Sequence, residues 1–204
     1  MNRLERAKRR EDNEVEFSRI VAFSDGVFAI AITLLVLNLS VDDFSPNELW
    51  QGIWDERENF LAYAISFAVI GRFWLVHHRF FGEVRAFDGR LLALNMLYLA
   101  FIVLIPFSSQ LLGEFGGETT SVVFYAANLA ACVLVGMWMA LDAQRAGLTT
   151  ADAPTRRVTL ARGLYISGVF LASIPIAFFA PEWAPLLWLV LFWDPTPRVA
   201  GAVG

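Results

Sequence analysis

The sequence predicts an all-α membrane protein with six transmembrane helices and with both termini in the cytosol. Hydrophobic residues make up 57% of the 204 residues and charged residues only 18%, whereas soluble domains are about 45–50% apolar even with glycine included. The apolar residues are gathered in runs of membrane-spanning length, and the basic residues lie mainly on one side of those runs. This composition excludes a disordered chain, and the net charge of −4 argues against nucleic acid as a partner.

The chain begins with a charged segment, residues 1–18, which we predict to be a cytosolic tail. Its charges are mixed, and the apolar run behind it is too long for a signal peptide. Six apolar segments follow, at roughly 20–40, 59–79, 91–112, 120–141, 160–180 and 183–197. The first five reach the roughly 20 residues that a spanning helix needs, whereas the sixth is short and contains Pro185. The predicted domains are therefore this tail, a six-helix membrane domain over 19–198 and a C-terminal tail over 199–204.

The basic residues set the predicted orientation. If the N-terminus is cytosolic, fourteen of the sixteen Lys and Arg residues lie on the cytosolic side of the six segments. The opposite side carries only Arg57, and Arg72 lies within a segment. Because Lys and Arg in short loops favour the cytosolic side, this asymmetry supports six spans with both ends inside.

Three groups of polar residues lie at membrane depth. Asp25 lies roughly 9 Å along the first segment from its basic start, and Asn95 roughly 7 Å along the third. In the second segment Arg72 lies roughly 10 Å and His77 roughly 3 Å from the cytosolic end, with His78 beside it. All are at similar depth on the same side, so Asp25 is predicted to pair with His77, His78, Asn95 or Arg72.

Two hypotheses account for these residues. Ionisable residues in a membrane are often functional, which favours a proton relay or an ion site. Alternatively, a satisfied polar network holds three helices together, since polar groups in lipid need partners. Arg72 could instead extend its charge to the interface or face a wet cavity, and Trp74 lies deep enough to need a partner for its N–H group.

The first segment has two faces when it is placed on a helix. An aliphatic stripe comprises Phe23, Val27, Ile30, Leu34, Leu37 and Val41. Thr33 borders this stripe, while Ala22, Asp25 and Ala29 lie on another face whose small residues are expected to pack within the bundle. An aliphatic stripe on a spanning helix is usually lipid-facing or part of the core.

The sequence contains no recognisable catalytic or cofactor motif. The glycine-rich phosphate loop, HExxH and GxSxG are absent, as are a TVGYG filter and an arginine-rich voltage sensor. Two histidines and the single cysteine, Cys132, make a zinc site improbable. We therefore expect neither an enzyme nor a resident cofactor.

The start of the first span carries a recognisable motif. Arg19, Phe23, Ser24 and Asp25 form an RxxxFSD pattern, which resembles the signature of the transmembrane protein 175 family of potassium channels. Further similarities to that family are Phe73-Trp74-x-x-His77-His78, Asn95 and Pro106-Phe107. The resemblance covers essentially the whole chain.

The resemblance implies a homotetramer of six-span subunits in the bacterial inner membrane, with three identical subunits and the bilayer as partners and potassium as the permeant ion. It implies a pore lined by the first helix, with Ile30, Leu34 and Leu37 as an apolar constriction. Thr33 would contribute to potassium preference. The motif residues and a supporting network would hold this helix in place; that network comprises Arg72, Trp74, His77, His78 and Asn95.

Two further hypotheses remain open at this point. A proton-coupled transporter or proton pathway would use Asp25 with His77 or His78, because histidine titrates near neutral pH. A membrane scaffold or interaction protein is suggested by the basic residues of the tail. The transporter hypothesis predicts a saturable flux that depends on a pH gradient. The scaffold hypothesis predicts no ion flux.

Overall fold

The computed structural model describes residues 3–39, 47–150 and 153–192, and in these residues the chain forms seven α-helices and two 3₁₀ helices. The α-helices are α1 (Arg3–Leu34), α2 (Leu49–Asp55), α3 (Arg57–Glu83), α4 (Gly89–Val103), α5 (Ile105–Glu114), α6 (Thr119–Arg145) and α7 (Ala153–Ala177). A 3₁₀ helix, Leu35–Asn38, continues α1, and another, Ala184–Phe192, follows α7. Because α1 begins at Arg3, one continuous helix joins the predicted tail to the first span.

Five helical stretches are long and apolar enough to cross a membrane, and they coincide with the first five predicted segments. They are Val15–Asn38, Arg57–Glu83, Gly89–Glu114, Thr119–Arg145 and Arg156–Ala177. The agreement follows from length, since each supplies the roughly 20 apolar residues that span a bilayer.

The sixth predicted segment is only partly described. Its Ala184–Phe192 part is a 3₁₀ helix of 9 residues, which rises roughly 18 Å at about 2 Å per residue. That is short of the roughly 30 Å hydrocarbon core. Val41, Arg198 and the predicted tail over 199–204 lie outside the described residues, so a sixth crossing stays a prediction.

The third predicted segment is one span built from two helices. Leu104 separates α4 from α5, and Pro106 occupies the second position of α5. Proline has no N–H group and its ring clashes with the carbonyl four residues earlier, so an α-helix tends to break just before it. The start of α4 is capped by Asp88, whose carboxylate accepts a hydrogen bond of 2.8 Å from the backbone N–H of Leu91.

Helix α6 forms the centre of the bundle, with α4, α5 and α7 packed against it. In its most apolar 18-residue stretch 56% of the residues are buried, whereas in α1 only 22% are. Helix α1 packs against α3, α4 and α5 along a single face. Most residues of the Val15–Leu34 part of α1 are therefore not buried by the other helices of the chain.

The α3–α4 and α6–α7 connections meet at one end of the bundle. The backbone N–H of Arg85 donates to the carbonyl of Leu148 at 2.8 Å, and that of Thr150 donates to the carbonyl of Glu83 at 3.1 Å. Nearby, Arg90 and Asp142 form an ion pair at 3.0 Å. Both connections are predicted to be cytosolic, and their contact fits a bundle in which they share a side.

Candidate functional site

The packed face of α1 is a stripe at helical spacing. Ser24, Phe28, Ala31 and Leu35 have relative exposures of 0%, 3%, 0% and 0%. Phe28 and Leu35 belong to the core cluster, and van der Waals packing of this kind holds helices together in lipid. The hydroxyl of Ser24 donates to the carbonyl of Ile20 at 3.0 Å, so its burial leaves no hydroxyl proton without a partner.

The predicted aliphatic stripe lies on the opposite side. Ile30 is 60% exposed, Leu34 is 38% exposed and Leu37 is 73% exposed. Phe23 is also exposed, whereas Val27 is partly buried against the core. Apart from Val27, the described residues of the stripe therefore form an outward surface of the chain and are not part of its core.

The 3₁₀ helix aligns the outer part of this stripe. Side chains three residues apart eclipse each other in a 3₁₀ helix, whereas in an α-helix they are offset by about 60°. Leu34 and Leu37 consequently lie in line on the exposed face. By the same geometry Leu35 and Asn38 share the packed face, and Leu35 is fully buried.

The prediction that Ala22, Asp25 and Ala29 pack within the bundle is wrong for the single subunit. Ala22 and Ala29 are exposed and Asp25 is half-buried. The face of Phe28 and Leu35 packs instead, and these larger side chains make more van der Waals contacts with the neighbouring helices than alanines can.

A chain of side-chain hydrogen bonds connects three helices in the half of the first span, Val15–Asn38, that is predicted to be cytosolic. We call this half the inner end of the span. Asn95 of α4 donates from Nδ2 to Oγ of Ser24 at 3.0 Å. Its Oδ1 lies 2.8 Å from Nε2 of His77 on α3. All three residues are buried, with exposures of 0% for Asn95 and Ser24 and 2% for His77. We call Ser24, Asn95 and His77 the inner clamp.

Aromatic rings enclose the imidazole of His77. Its centroid lies 5.3 Å from that of Phe28, 4.5 Å from that of Phe81 and 5.6 Å from that of Tyr98. Rings on α1, α3 and α4 therefore exclude water from the inner clamp. This packing is a structural role for His77, as one of the two hypotheses expects.

Asp25 has a different partner from the histidines and the asparagine considered above. Its Oδ1 accepts a hydrogen bond of 2.9 Å from Nε1 of Trp74, while His78 lies beside that indole at a ring separation of 5.4 Å. Neighbouring residues on a helix point about 100° apart. Ser24 therefore bonds to Asn95 within the inner clamp, whereas Asp25 points to Trp74.

The remaining predicted residues lie at the exposed edges of this region. Arg19 and Arg72 are exposed on α1 and α3. Thr33 is exposed beside the aliphatic stripe, and its hydroxyl lies 2.9 Å from the carbonyl oxygens of both Ala29 and Ile30. Among the described residues no group of three or more His, Cys, Asp or Glu is placed to hold a metal ion.

One contact of α1 was not expected from the sequence. At its opposite end, here called the outer end, Nδ2 of Asn38 donates to the carbonyl oxygen of Pro106 at 3.1 Å. The sequence shows only a single amide side chain, Asn38, near the end of the first apolar segment and a proline, Pro106, within the third. Neither specifies a partner.

Five apolar spans, a thinly packed first helix and the buried polar contacts that hold it define a multi-span α-helical membrane protein. The family model described as endosomal/lysosomal potassium channel TMEM175 matches residues 19–106. A potassium channel of Streptomyces collinus is 37% identical over 156 residues, which cover 72% of this chain and 75% of that protein. The chain belongs to the TMEM175 family of potassium channels.

Two further similarities bear on the fold and on the ion. The crystal structure of a lysosomal potassium-selective channel TMEM175 homologue from Chamaesiphon minutus superposes with a TM-score of 0.72 at 29% identity, over 92% of this chain and 98% of that one. The endosomal/lysosomal proton channel TMEM175 of Gallus gallus is 39% identical over 110 residues, which are 50% of this chain and 22% of that protein. The chain is thus similar to relatives named for two different ions.

Proposed function

We propose that this chain forms a homotetrameric, potassium-permeable cation channel in a bacterial plasma membrane. The membrane domain over 19–198 crosses six times, with the tails over 1–18 and 199–204 in the cytosol. Helix α1 lines the pore, and Ile30, Leu34 and Leu37 form its constriction. The observation that carries this proposal is the exposure of an aliphatic stripe on the span whose other side is fixed to the bundle.

Four copies of this stripe around one axis would form successive apolar rings. An ion must shed water to cross such a ring, so a narrow apolar passage closes by dewetting, and slight widening opens it. The alignment of Leu34 and Leu37 by the 3₁₀ helix stacks two of these rings directly along the axis. No backbone-carbonyl filter is required.

Thr33 would supply the polar atoms of this pore. Its hydroxyl proton is engaged with a carbonyl of its own helix. The oxygen lone pairs are then directed away from the helix, where four of them could replace part of the hydration shell of a potassium ion. Ser24, Asp25 and Asn95 would instead act at a distance, by holding the inner end of α1.

The proton-coupled alternative has weaker support from the contacts. The name of the chicken relative favours it, but Asp25 and His77 belong to separate contacts, through Trp74 and Asn95 respectively. An indole N–H only donates and cannot accept a proton from Asp25. We therefore keep the proton-coupled alternative as a possible outcome of the flux measurement described below.

The experiment is cation flux through the full chain in liposomes, with Ile30→Asn as the main variant. A polar side chain at the narrowest ring favours water there, so we expect greater potassium conductance and weaker preference over sodium. Ile65→Asn is the matched control, since Ile65 is an exposed isoleucine on α3 (41% exposed). It should leave flux unchanged.

Two results would contradict the proposal. If Ile30→Asn and Ile65→Asn behave alike, Ile30 is not part of the constriction. If well-folded chain carries no cation current, or only a saturable flux that requires a proton gradient, the channel proposal is wrong and a transporter is favoured.

A further inference from the structure

We propose that Asn38 is a positioning residue that holds the outer ring of the constriction, Leu37, in place through the carbonyl oxygen of Pro106. This inference rests on the proposed function, because it assumes that Leu37 faces a pore. Asn38 itself shares the packed face of the 3₁₀ helix with Leu35 and does not touch a permeating ion.

The first step is the position of Asn38 at the C-terminal end of the 3₁₀ helix that continues α1. It is the last residue of the 3₁₀ helix, and the following residue, Leu39, has an extended backbone with φ −94° and ψ 111°. Helix ends fray because their last carbonyls lack partners in the helix. Leu37 is adjacent to this end and is 73% exposed within the subunit, so its position depends on what holds the terminus.

The second step is the anchor that holds it. Nδ2 of Asn38 donates to Pro106 at 3.1 Å, and Leu35 packs one turn earlier against the core. The hydrogen bond from the Asn38 amide fixes the orientation of the turn, and Leu35 contributes apolar contacts with the core. Together they set both the rotation and the height of the 3₁₀ turn, and Leu37 follows rigidly.

The third step is the rigidity of the anchor. Helix α5, which carries Pro106, is attached to α3 and α6 by a chain of buried hydroxyls. Tyr125 and Ser109 lie 2.9 Å and 2.8 Å from Oγ of Ser66, and the Ser109 hydroxyl donates to the carbonyl of Ala62 at 3.3 Å. Tyr125 is fully buried, and Ser66 and Ser109 are each only 1% exposed. Pro106 is thus a fixed point against which the end of α1 is set.

The test places a cysteine at the ring and changes Asn38. In a Leu37→Cys chain, the rate at which a charged methanethiosulfonate blocks current reports access to position 37; the native Cys132 is fully buried in α6. Losing one hydrogen bond changes an equilibrium constant by about two- to tenfold, here the constant between a 3₁₀ turn bound to Pro106 and one released from it. Asn38→Ala should therefore change the modification rate by about that factor.

Two further variants separate positioning from general destabilisation. Asn38→Leu keeps the branched shape of the side chain without adding charge but removes the donor, so it should behave like Asn38→Ala. Thr119→Val removes a comparable bond, from the hydroxyl of Thr119 to the carbonyl of Ala177 at 2.9 Å between α6 and α7. Thr119→Val should lower thermal stability without changing the modification rate at position 37.

A measurement independent of current keeps this proposal distinct from the proposed function. A nitroxide attached in the Leu37→Cys chain reports the distances between subunits by double electron–electron resonance, and Asn38→Ala should broaden that distribution. If both the distribution and the modification rate stay unchanged, the role of Asn38 is overturned. If the distribution broadens but modification never blocks current, Asn38 still positions Leu37 and the pore assignment fails.

Discussion

At its inner end α1 is held by side chains of two other helices, and at its outer end by one amide on a backbone carbonyl. The inner clamp is buried and each member has a polar partner, with the Asp25–Trp74 contact beside it. The outer end relies on a 3₁₀ turn and Asn38. The exposed stripe lies between a strongly fixed point and a lightly fixed one. We infer that loss of the Asn38 contact, which is the single side-chain hydrogen bond to another helix described at the outer end, would release the stripe first at Leu37.

The largest expected effect comes from breaking the inner clamp with Asn95→Leu. This change keeps the branched shape of the side chain but removes both hydrogen bonds and leaves Nε2 of His77 buried without its partner. An unsatisfied buried polar group costs about 1–3 kcal/mol, so we expect a loss of about that size in the free energy of unfolding. Denaturation of the detergent-solubilised chain measures it.

Asn128→Leu is the matched control for that change. Asn128 is also buried in a span, but its Nδ2 makes a long contact of 3.4 Å with Ser108. Its Oδ1 is buried with no hydrogen-bond partner among the described residues. Replacing it should cost less than replacing Asn95, or even stabilise the chain. Equal losses for the two variants would mean that the inner clamp has no special part in holding α1.

A smaller effect is expected from Trp74→Phe, which removes the donor to Asp25 and retains an aromatic ring. Bonds to charged groups are stronger than neutral ones, but Asp25 and Trp74 are partly exposed, so we expect a loss of about 1 kcal/mol in unfolding free energy. Asp25→Ala combined with Trp74→Phe should cost less than the sum of the two single changes, because each change alone already removes the contact. Strict additivity in that cycle would show that the contact does not contribute.

Much of the fold was predictable because membrane helices are recognised by length and apolarity alone. All five spans were located from these properties. The break at Leu104 was not predicted, although Pro106 was visible, because spanning helices tolerate proline when neighbouring groups satisfy the freed backbone. The Ala184–Phe192 3₁₀ helix is similarly not distinguished from an α-helix by hydropathy.

The polar residues of the site were predictable as a set but not as pairs. Depth along a helix follows from counting residues, and this brought Asp25, Asn95 and His77 to one level. Pairing depends on rotation about each helix axis, and one residue changes that angle by about 100°. Ser24 rather than Asp25 therefore bonds to Asn95. The contact of Asn38 depends on where α5 begins, which lies beyond sequence reasoning.

Thr33→Val is expected to have the smallest effect on stability. It tests whether the hydroxyl beside the aliphatic stripe contributes to ion preference. Thr33 is exposed and its hydroxyl bonds only to carbonyls of its own helix in the contacts described here, so unfolding free energy should change by less than about 0.5 kcal/mol. The ratio of potassium to sodium permeability, measured from reversal potentials, should nevertheless fall, because the proposed tetrameric pore would lose four oxygen atoms. Thr33→Ser retains the hydroxyl and should retain the preference. If Thr33→Val left the ratio unchanged, ion preference would have to arise from the apolar rings themselves, through the different costs of dehydrating the two ions.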